Sequence, residues 1–322
     1  MSAPVYSAAL GIDTSNYTTS AALYAPEMEL PVSVGKLLPV KSGECGLRQS
    51  DAVFAHVKNL PEVVPQAMSR FDGPILAVGV STRPRDTEGS YMPCFLTGVA
   101  TATATAAALR VPLYSFSHQA NHVAAAAVTA GRPELLERPF LAWHLSGGTS
   151  ELLYVEPDED RIIRCRRIGG TSDLAAGQAI DRAGVMLGLD FPCGKSLDAL
   201  SLTAETTIKP ARLSVRETEM SLSGLENKTK ELIAAGTAPA VVARFVLETV
   251  LFSVERVTAN AREQMGKLPV LCAGGVMCNT LIRERMQKAF HAGFAPAAFS
   301  ADNATGTAVL AYTKHMRLQG RQ

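Results

Sequence analysis

Ala8-Ala-Leu-Gly-Ile-Asp-Thr-Ser-Asn-Tyr-Thr-Thr-Ser-Ala-Ala-Leu-Tyr24 is a pair of apolar runs around a polar turn. Ala8–Asp13 reads as a strand and Ser20–Tyr24 as its antiparallel partner, because the hydroxyl and amide side chains between them favour a turn. The same device recurs 130 residues later. There Phe140–Leu145 reads as a strand, Ser146-Gly-Gly-Thr-Ser150 as the turn and Glu151–Val155 as the return strand. Thr19-Ser-Ala-Ala-Leu-Tyr and Thr149-Ser-Glu-Leu-Leu-Tyr agree at four of six positions. Two such hairpins, each opening a comparable half, predict an internally duplicated α/β chain.

The remaining elements fill out both halves. Ile75–Ser81 reads as a strand, Gly98–Arg110 as a helix stopped before Pro112, and Pro112–Phe116 as a short strand. Ala175–Leu189, Ala240–Met265 and Asn279–Phe290 read as helices. Leu268–Ala273 is an expected strand, Ala295–Ser300 a short strand leading to Asp302, and Ala304–Met316 the last helix.

With 322 residues, 47% hydrophobic and 19% charged, the chain suits a soluble protein of about two domains at roughly 150 residues each. No stretch approaches the ~20 apolar residues of a membrane span. The six cysteines form no Cys-x-x-Cys pair and the start is no signal peptide, so they read as reduced thiols of a cytoplasmic protein. The net charge is only +1, whereas a self-sufficient nucleic-acid binder is usually more basic. RNA binding would need local patches or a partner. The candidates are Arg161, Arg164, Arg166 and Arg167 in one strand-like run, and Arg83 with Arg85; a solvated sheet edge explains the first run equally well.

His118 and His122 stand four apart at the head of an alanine-rich run. Helical spacing puts both imidazoles on one face, where two neutral rings can grip one divalent metal. The glutamate that zinc hydrolases carry beside the first histidine is absent, which argues against a metalloprotease. Two partly buried helix histidines are the plain alternative. Asp302, before the last helix, would complete a two-His, one-carboxylate set, or would simply cap that helix.

Three further loops suit a nucleotide. Leu145-Ser146-Gly147-Gly148-Thr149 turns backbone N–H groups toward a ligand, or is a tight hairpin. Gly274-Gly275 joins a strand to a helix at Asn279, which would read a base or a sugar hydroxyl, or act as a cap. Asp173-Leu-Ala-Ala-Gly-Gln-Ala-Ile-Asp181 begins a helix, and Asp181 or Asp198 would aim a carboxylate at ribose hydroxyls; Gly194 lies between them.

In this order the motifs resemble the TsaD family, the tRNA threonylcarbamoyladenosine transferases once called glycoproteases. The resemblance covers nearly the whole chain: Leu10-Gly-Ile-Asp-Thr-Ser, the histidine pair, Ser146-Gly-Gly, Asp173 to Asp198, Ser221-Leu-Ser-Gly-Leu, Ala273-Gly-Gly-Val-Met-Cys-Asn279 and Asp302-Asn-Ala. It implies two ribonuclease-H-like domains of the actin-like, sugar-kinase-like (ASKHA) superfamily flanking a ligand cleft: residues 1–130 with 302–322, and residues 131–301. It implies one divalent ion, iron or zinc, on His118, His122 and Asp302. It implies an adenylate-type nucleotide (threonylcarbamoyl-AMP, AMP or ATP) on Leu145, Ser146, Gly147, Gly148, Thr149, Asp181, Gly194, Asp198, Gly274, Gly275 and Asn279. Asp13 and Ser15 of the first loop become the candidate catalytic residues. The implied partners are tRNA, bound weakly by the chain alone, TsaB-like and TsaE-like proteins, and a second copy through first-domain helices, with Gly98–Arg110 and His118–Ala130 as the surfaces to inspect.

The chain also departs from the family pattern. The first loop, usually Glu-Thr-Ser-Cys-Asp-Glu-Thr, reads Asp13-Thr-Ser-Asn-Tyr-Thr-Thr19, so Tyr17 and Thr18 replace an acidic pair. Thr149 stands where the family has His or Asn, Asp173-Leu-Ala-Ala-Gly-Gln178 where it has Asp-Asp-Ala-Ala-Gly-Glu, and Arg83–Cys94 replaces a compact Gly-Pro-Gly-Leu loop. These features suggest a divergent paralogue that retains the binding residues and either uses a different acceptor or acts poorly on tRNA. A non-catalytic nucleotide-binding partner subunit is the alternative. An ATP-dependent kinase of the superfamily fits the fold but not the histidine pair.

Overall fold

The computed structural model describes residues 6–39, 47–299 and 302–320. Cys45, Ser300 and the first five residues lie outside them. In chain order come β1 (Ala8–Thr14), β2 (Thr18–Tyr24), β3 (Val32–Leu37), α1 (Gln49–Met68), β4 (Ile75–Arg83), α2 (Phe95–Leu109), β5 (Leu113–Ser117) and α3 (His118–Thr129). Next are β6 (Phe140–Leu145), β7 (Ser150–Asp158), β8 (Ile162–Thr171), α4 (Ala176–Met186), α5 (Gly194–Ser201), β9 (Val215–Arg216), β10 (Glu219–Met220), α6 (Gly224–Ala234) and α7 (Pro239–Met265). The chain ends with β11 (Val270–Ala273), α8 (Thr280–Phe290), β12 (Gly293–Phe294) and α9 (Thr305–Gln319).

Two sheets carry the chain, in the orders β3-β2-β1-β4-β5 and β12-β11-β6-β7-β8-β10-β9. Taken from β8 to β12, the second order repeats the first. In both, the opening strand is antiparallel to the next in sequence and parallel to the strand on its other side. The matching hairpins are therefore the visible edge of a duplication of whole sheets. The chain divides into two compact units: Met1–Arg138 with Glu156–Cys165 and Ala298–Gln322, and Pro139–Val155 with Arg166–Ala297.

In the first unit, strand alternation sorts the residues of β1 and β4. Leu10, Ile12, Val78 and Val80 join one apolar cluster with Leu60 and Val63 of α1 and Ala102 and Ala106 of α2. Gly11 and Gly79 face the other way, where α9 lies on the sheet backbone. A Cβ on Gly11 would strike the Ala304 carbonyl and come within 2.5 Å of the Ala308 nitrogen, and one on Gly79 would meet the Thr307 oxygen at 2.5 Å. Gly306 brings α9 equally close to α3: its Cβ would overlap the Asn121 carbonyl and sit 2.6 Å from the Ala125 nitrogen. Asn121 ties the two helices further, donating to the Asn303 carbonyl at 2.6 Å and accepting from the Thr307 N–H at 2.9 Å. These contacts set the start of α9, with Asp302 just before it, beside the start of α3.

In the second unit, α7 is the central support. Val246, Val250, Val254 and Val257 pack in one cluster with Leu141, Trp143 and Leu152 of the sheet. Trp143 buries its ring and donates through Nε1 to the Thr258 hydroxyl at 2.9 Å.

Several expectations change. The expected strand Ala295–Ser300 is replaced by the two-residue β12 and a 3₁₀ turn at Ala297–Phe299. Periodicity did not reveal α1, which contains Pro61 and Pro65, each lacking a backbone donor. The expected partner surface on α3 is closed, since Ala120–Ala127 are all buried. Exposed apolar side chains lie instead on α1 and α2, among them Phe54, Val57 and Leu96. Three members of the arginine run meet carboxylates, Arg164 pairing with Asp158, Arg167 with Glu219 and Arg161 lying 3.9 Å from Asp86, while Arg166 stacks over Tyr154. Arg83 likewise pairs with Asp86 at 2.8 Å. Cys94, Cys165, Cys193, Cys272 and Cys278 are free thiols. Among the described residues no helix is long and apolar enough to cross a membrane.

Candidate metal centre and nucleotide pocket

Ser117 starts α3 at the right residue by accepting the Ala120 N–H at 3.1 Å. One turn of helix then brings the Nε2 atoms of His118 and His122 to 2.9 Å from each other. Asp302 Oδ1 lies 3.1 Å from Nε2 of His122 and 3.7 Å from that of His118. These three edges bracket the ~3.3 Å edge of a tetrahedron with metal–ligand bonds of about 2.0–2.1 Å. The donor set, two imidazoles and one carboxylate, suits zinc or ferrous iron. The residues present therefore fit a divalent ion. Asp302 is not the cap of α9: Ala304 holds that position, and the neighbouring Asn303 accepts the Thr305 N–H at 2.9 Å.

Asp13, at the end of β1, is fully buried and takes Nδ1 of His118 at 2.9 Å. This fixes which nitrogen of His118 points at the other two ligands, the usual arrangement behind a metal-bound histidine. In this geometry Asp13 orients His118 and is a positioning residue. Ser15 donates to Asp302 Oδ2 at 3.0 Å and holds that carboxylate in turn. Burial disfavours charge on all three titrating partners, but their mutual attraction outweighs it. His118 is pushed up to about 10 against burial by Asp13 and then Asp302. Asp13 and Asp302 are held below the usual carboxylate range, against burial, by the histidines. Ionised carboxylates that stabilise positive charge on His118 would equally stabilise a divalent cation.

His56 of α1 lies buried beneath the first loop, with Nδ1 2.8 Å from the Thr19 hydroxyl, which also accepts from Asn59 at 3.2 Å. Burial lowers its basicity. Sequence reading missed this residue, because it stands within the proline-bearing helix. Of the departures in the loop, Thr18 is buried in β2 and Tyr17 is exposed.

The second unit holds a cavity of about 420 Å³ lined by Gly147, Asp181, Gly194, Asp198, Gly275 and Asn279 among the expected nucleotide residues. That volume lies within the range of small-molecule sites. Ile180, Pro192, Lys195 and Cys278 also line it, and the motifs gave no notice of them. Ser146 closes its hairpin on Thr149 through two bonds, at 2.8 and 3.1 Å, leaving Gly147 and Gly148 in open space. Leu145 buries its side chain completely, so it offers a ligand no side-chain contact. Gly274 is required by packing: its φ is +96° and a Cβ there would strike the Leu145 carbonyl.

The aspartates are busier than a ribose ligand needs to be. Asp198 accepts from Asn279 Nδ2 at 2.8 Å, from the Thr280 N–H at 3.0 Å and from its hydroxyl at 2.9 Å. Asn279 also caps α8 through the Ile282 N–H at 3.2 Å. Asp181 accepts the Cys193 N–H at 2.8 Å, joining α4 to the start of α5. Asp198 thus sets the orientation of the Asn279 amide, and Asp181 fixes the opposite wall.

Asp173 does not begin the helix, which starts at Ala176. Its carboxylate instead accepts the Ser221 hydroxyl at 2.6 Å and the N–H groups of Leu222, Ser223 and Leu174 at 2.8, 3.2 and 2.6 Å. Burial opposes ionisation, but these donors hold the group well below the usual range. Asp173→Ala is expected to cost about 1–3 kcal/mol at neutral pH. Because the folded-state pKa is the lower one, this stabilisation is complete above about pH 5 and disappears as pH falls below about 4. Urea unfolding of wild type and variant across pH 3–7 checks it; a difference that grows toward acid would contradict the assignment.

Two duplicated sheets of this order, one unit bearing a His–His–Asp cluster that could hold a metal and the other a cavity, make an ASKHA-type fold. Solved structures agree on the fold. T. kodakarensis HypF superposes with a TM-score of 0.60 at 13% identity, covering 98% of this chain and 48% of that one. Component A of the Acidaminococcus fermentans (R)-2-hydroxyglutaryl-CoA dehydratase gives 0.53 at 16%, covering 97% and 100%. The profile described as TsaD, tRNA N6-adenosine threonylcarbamoyltransferase, matches residues 45–309. A protein named tRNA N6-adenosine threonylcarbamoyltransferase from Thermus thermophilus is 32% identical over 318 residues, covering 96% of this chain and 93% of its own. The chain belongs to the TsaD family. Relatives of matching length bear the transferase name, and this does not favour the reading as a non-catalytic partner subunit.

Proposed function

We propose that this protein transfers a threonylcarbamoyl group from threonylcarbamoyl-adenylate to the exocyclic amine of the tRNA adenosine beside the anticodon, with one iron or zinc ion held by His118, His122 and Asp302. The observation that carries the reading is the convergence of those three ligands on one point, with Asp13 behind His118. A divalent ion there would polarise an oxygen of the donor and stabilise charge that develops during acyl transfer. The cavity beside Asp198 and Asn279 is assigned to the adenylate. Asp198 holds the Asn279 amide so that it meets the adenosine moiety in one orientation. In the reaction the amine nitrogen bonds to the carbamoyl carbon and gives up one proton to solvent, the carbon–oxygen bond to phosphate breaks, and AMP leaves with that electron pair. The reading assigns the metal to a domain of residues 1–130 with 302–322, and the nucleotide to residues 131–301. A protein partner of the TsaB kind would find apolar surface on α1 and α2.

The test is chemical. Unmodified tRNA is incubated with the metal-loaded protein and threonylcarbamoyl-adenylate, digested to nucleosides and analysed by mass spectrometry. Threonylcarbamoyladenosine is expected; an unmodified adenosine pool, with the donor bound and intact, would exclude tRNA as acceptor. Asp198→Ala is expected to weaken AMP binding about tenfold by releasing Asn279, which calorimetric titration with AMP measures. Equal affinity in wild type and variant would remove Asp198 from the site.

A further inference from the structure

Of the arginines that the sequence offered as an RNA patch, Arg83, Arg161, Arg164 and Arg167 lie within ion-pairing distance of carboxylates. A different set of cations does not. Lys209, Arg212 and Arg216 are exposed, and among the described residues no carboxylate lies within ion-pairing distance of any of them. They belong to one irregular segment that leads into β9, the edge strand of the second sheet. Ile208, Ala211, Leu213 and Val215 of the same segment pack against the core of the unit. From Ala211 to Arg216 burial alternates, leaving Arg212, Ser214 and Arg216 exposed between the inward-packed Ala211, Leu213 and Val215.

The segment is fixed at both ends. The Ala211 N–H donates to the Thr249 hydroxyl of α7 at 3.0 Å, and the Ser214 carbonyl accepts the Ser221 N–H at 3.0 Å. Glu219, opposite Arg216 in the β9–β10 pair, is already held by Arg167 through bonds of 2.6 and 2.8 Å. The Arg216 charge is left unmatched. Beyond the hairpin, Asp173 clamps Ser221–Ser223 just ahead of α4, the helix whose Gly177, Ile180 and Asp181 line the nucleotide cavity. A basic edge is thus tied to one wall of that cavity.

We infer that Lys209, Arg212 and Arg216 form a contact face for the phosphate backbone of the RNA acceptor, an inference that rests on the transferase reading. A cluster of positive charge, Arg212 and Arg216 on the outward side of the sheet edge with exposed Lys209 just before them, is offered to the anionic phosphates of a nucleic-acid strand. It supplies locally the field that a net charge of +1 does not. Such contacts position the RNA without reading its sequence.

The test is the salt dependence of tRNA binding, read by anisotropy of labelled tRNA between 50 and 200 mM NaCl. Wild type is compared with the triple variant Lys209→Ala, Arg212→Ala, Arg216→Ala and with a charge-matched triple, Arg70→Ala, Lys267→Ala, Lys288→Ala. The log–log slope is expected to fall by about 2–3 in the first triple and to change little in the second, because each phosphate contact contributes close to one unit. Arg212→Ala alone should lower it by about 1, which keeps the test decisive if the triple folds poorly. AMP affinity should be the same in all. If wild type binds tRNA and both triples behave alike, the inference fails and the transferase reading stands. If wild type binds no tRNA at any salt, both fail.

Discussion

His122→Ala is expected to empty the metal centre and leave the fold standing, whereas His118→Ala should damage both. Loss of His122 removes one of three ligands from a triangle with edges of 2.9, 3.1 and 3.7 Å. Even the partners that merely orient a ligand cost 10–100-fold in metal affinity when removed, so a ligand itself should cost at least about 100-fold. Metal retained per chain after dialysis, by mass spectrometry, should drop from near one to near zero. His118 has a second duty. It covers the carboxylate of fully buried Asp13 at 2.9 Å. His118→Ala leaves that charge buried and unpaired, at a cost of about 3–5 kcal/mol in addition to the lost metal. Denaturant unfolding of the two metal-free variants separates these effects. A His122→Ala protein that keeps a full metal complement would contradict the ligand assignment. Equal stability of the two variants would contradict the role given to Asp13. Asp13→Asn should fall between, with metal affinity lowered about 10–100-fold.

The second large effect is far from any ligand. Gly306→Ala adds one methyl group where α9 crosses α3, against the Asn121 carbonyl and 2.6 Å from the Ala125 nitrogen. Both obstacles are helix backbone, and neither can turn aside. The helices must separate, which breaks the Asn121 bonds to Asn303 and Thr307. Overpacking of this kind costs about 1–3 kcal/mol, and the lost bonds add to it, so a loss of at least about 3 kcal/mol is expected. The same separation would draw Asp302 away from the histidines, so metal affinity should fall as well. Thermal unfolding together with metal titration reads both. A stable Gly306→Ala variant with normal metal affinity would show that close approach of α9 does not set the triad.

Much of this was legible in the sequence where local pattern and global structure coincide. The β1–β2 and β6–β7 hairpins follow from apolar runs around polar turns, and the second copy exposed the duplication. The histidine pair follows from helical spacing alone. The rest needed long-range contacts. Nothing near Asp302 says that its partners lie about 180 residues away on α3. The protein partners of Asp173 and Asp198, Ser221–Ser223 and Asn279–Thr280, become neighbours only on folding, so the sequence alone shows none of these hydrogen bonds. Of the two readings of the arginine run, the ion pairs suit the solvated sheet edge: Arg164 meets Asp158 six residues upstream, whereas the Glu219 partner of Arg167 arrives only through the fold. Gly11, Gly79 and Gly306 are the places where α9 meets other backbones, contacts that nothing in the sequence around each glycine announces.

The account stands on metal-dependent transfer, and single-turnover kinetics test it most directly. The protein is stripped with a chelator and divided. One portion is reloaded with a single equivalent of ferrous iron or zinc, and both receive radiolabelled threonylcarbamoyl-adenylate and unmodified tRNA. The account predicts label on tRNA from the reloaded protein, little from the stripped protein, and AMP affinity alike in both. Equal transfer with and without metal would contradict it.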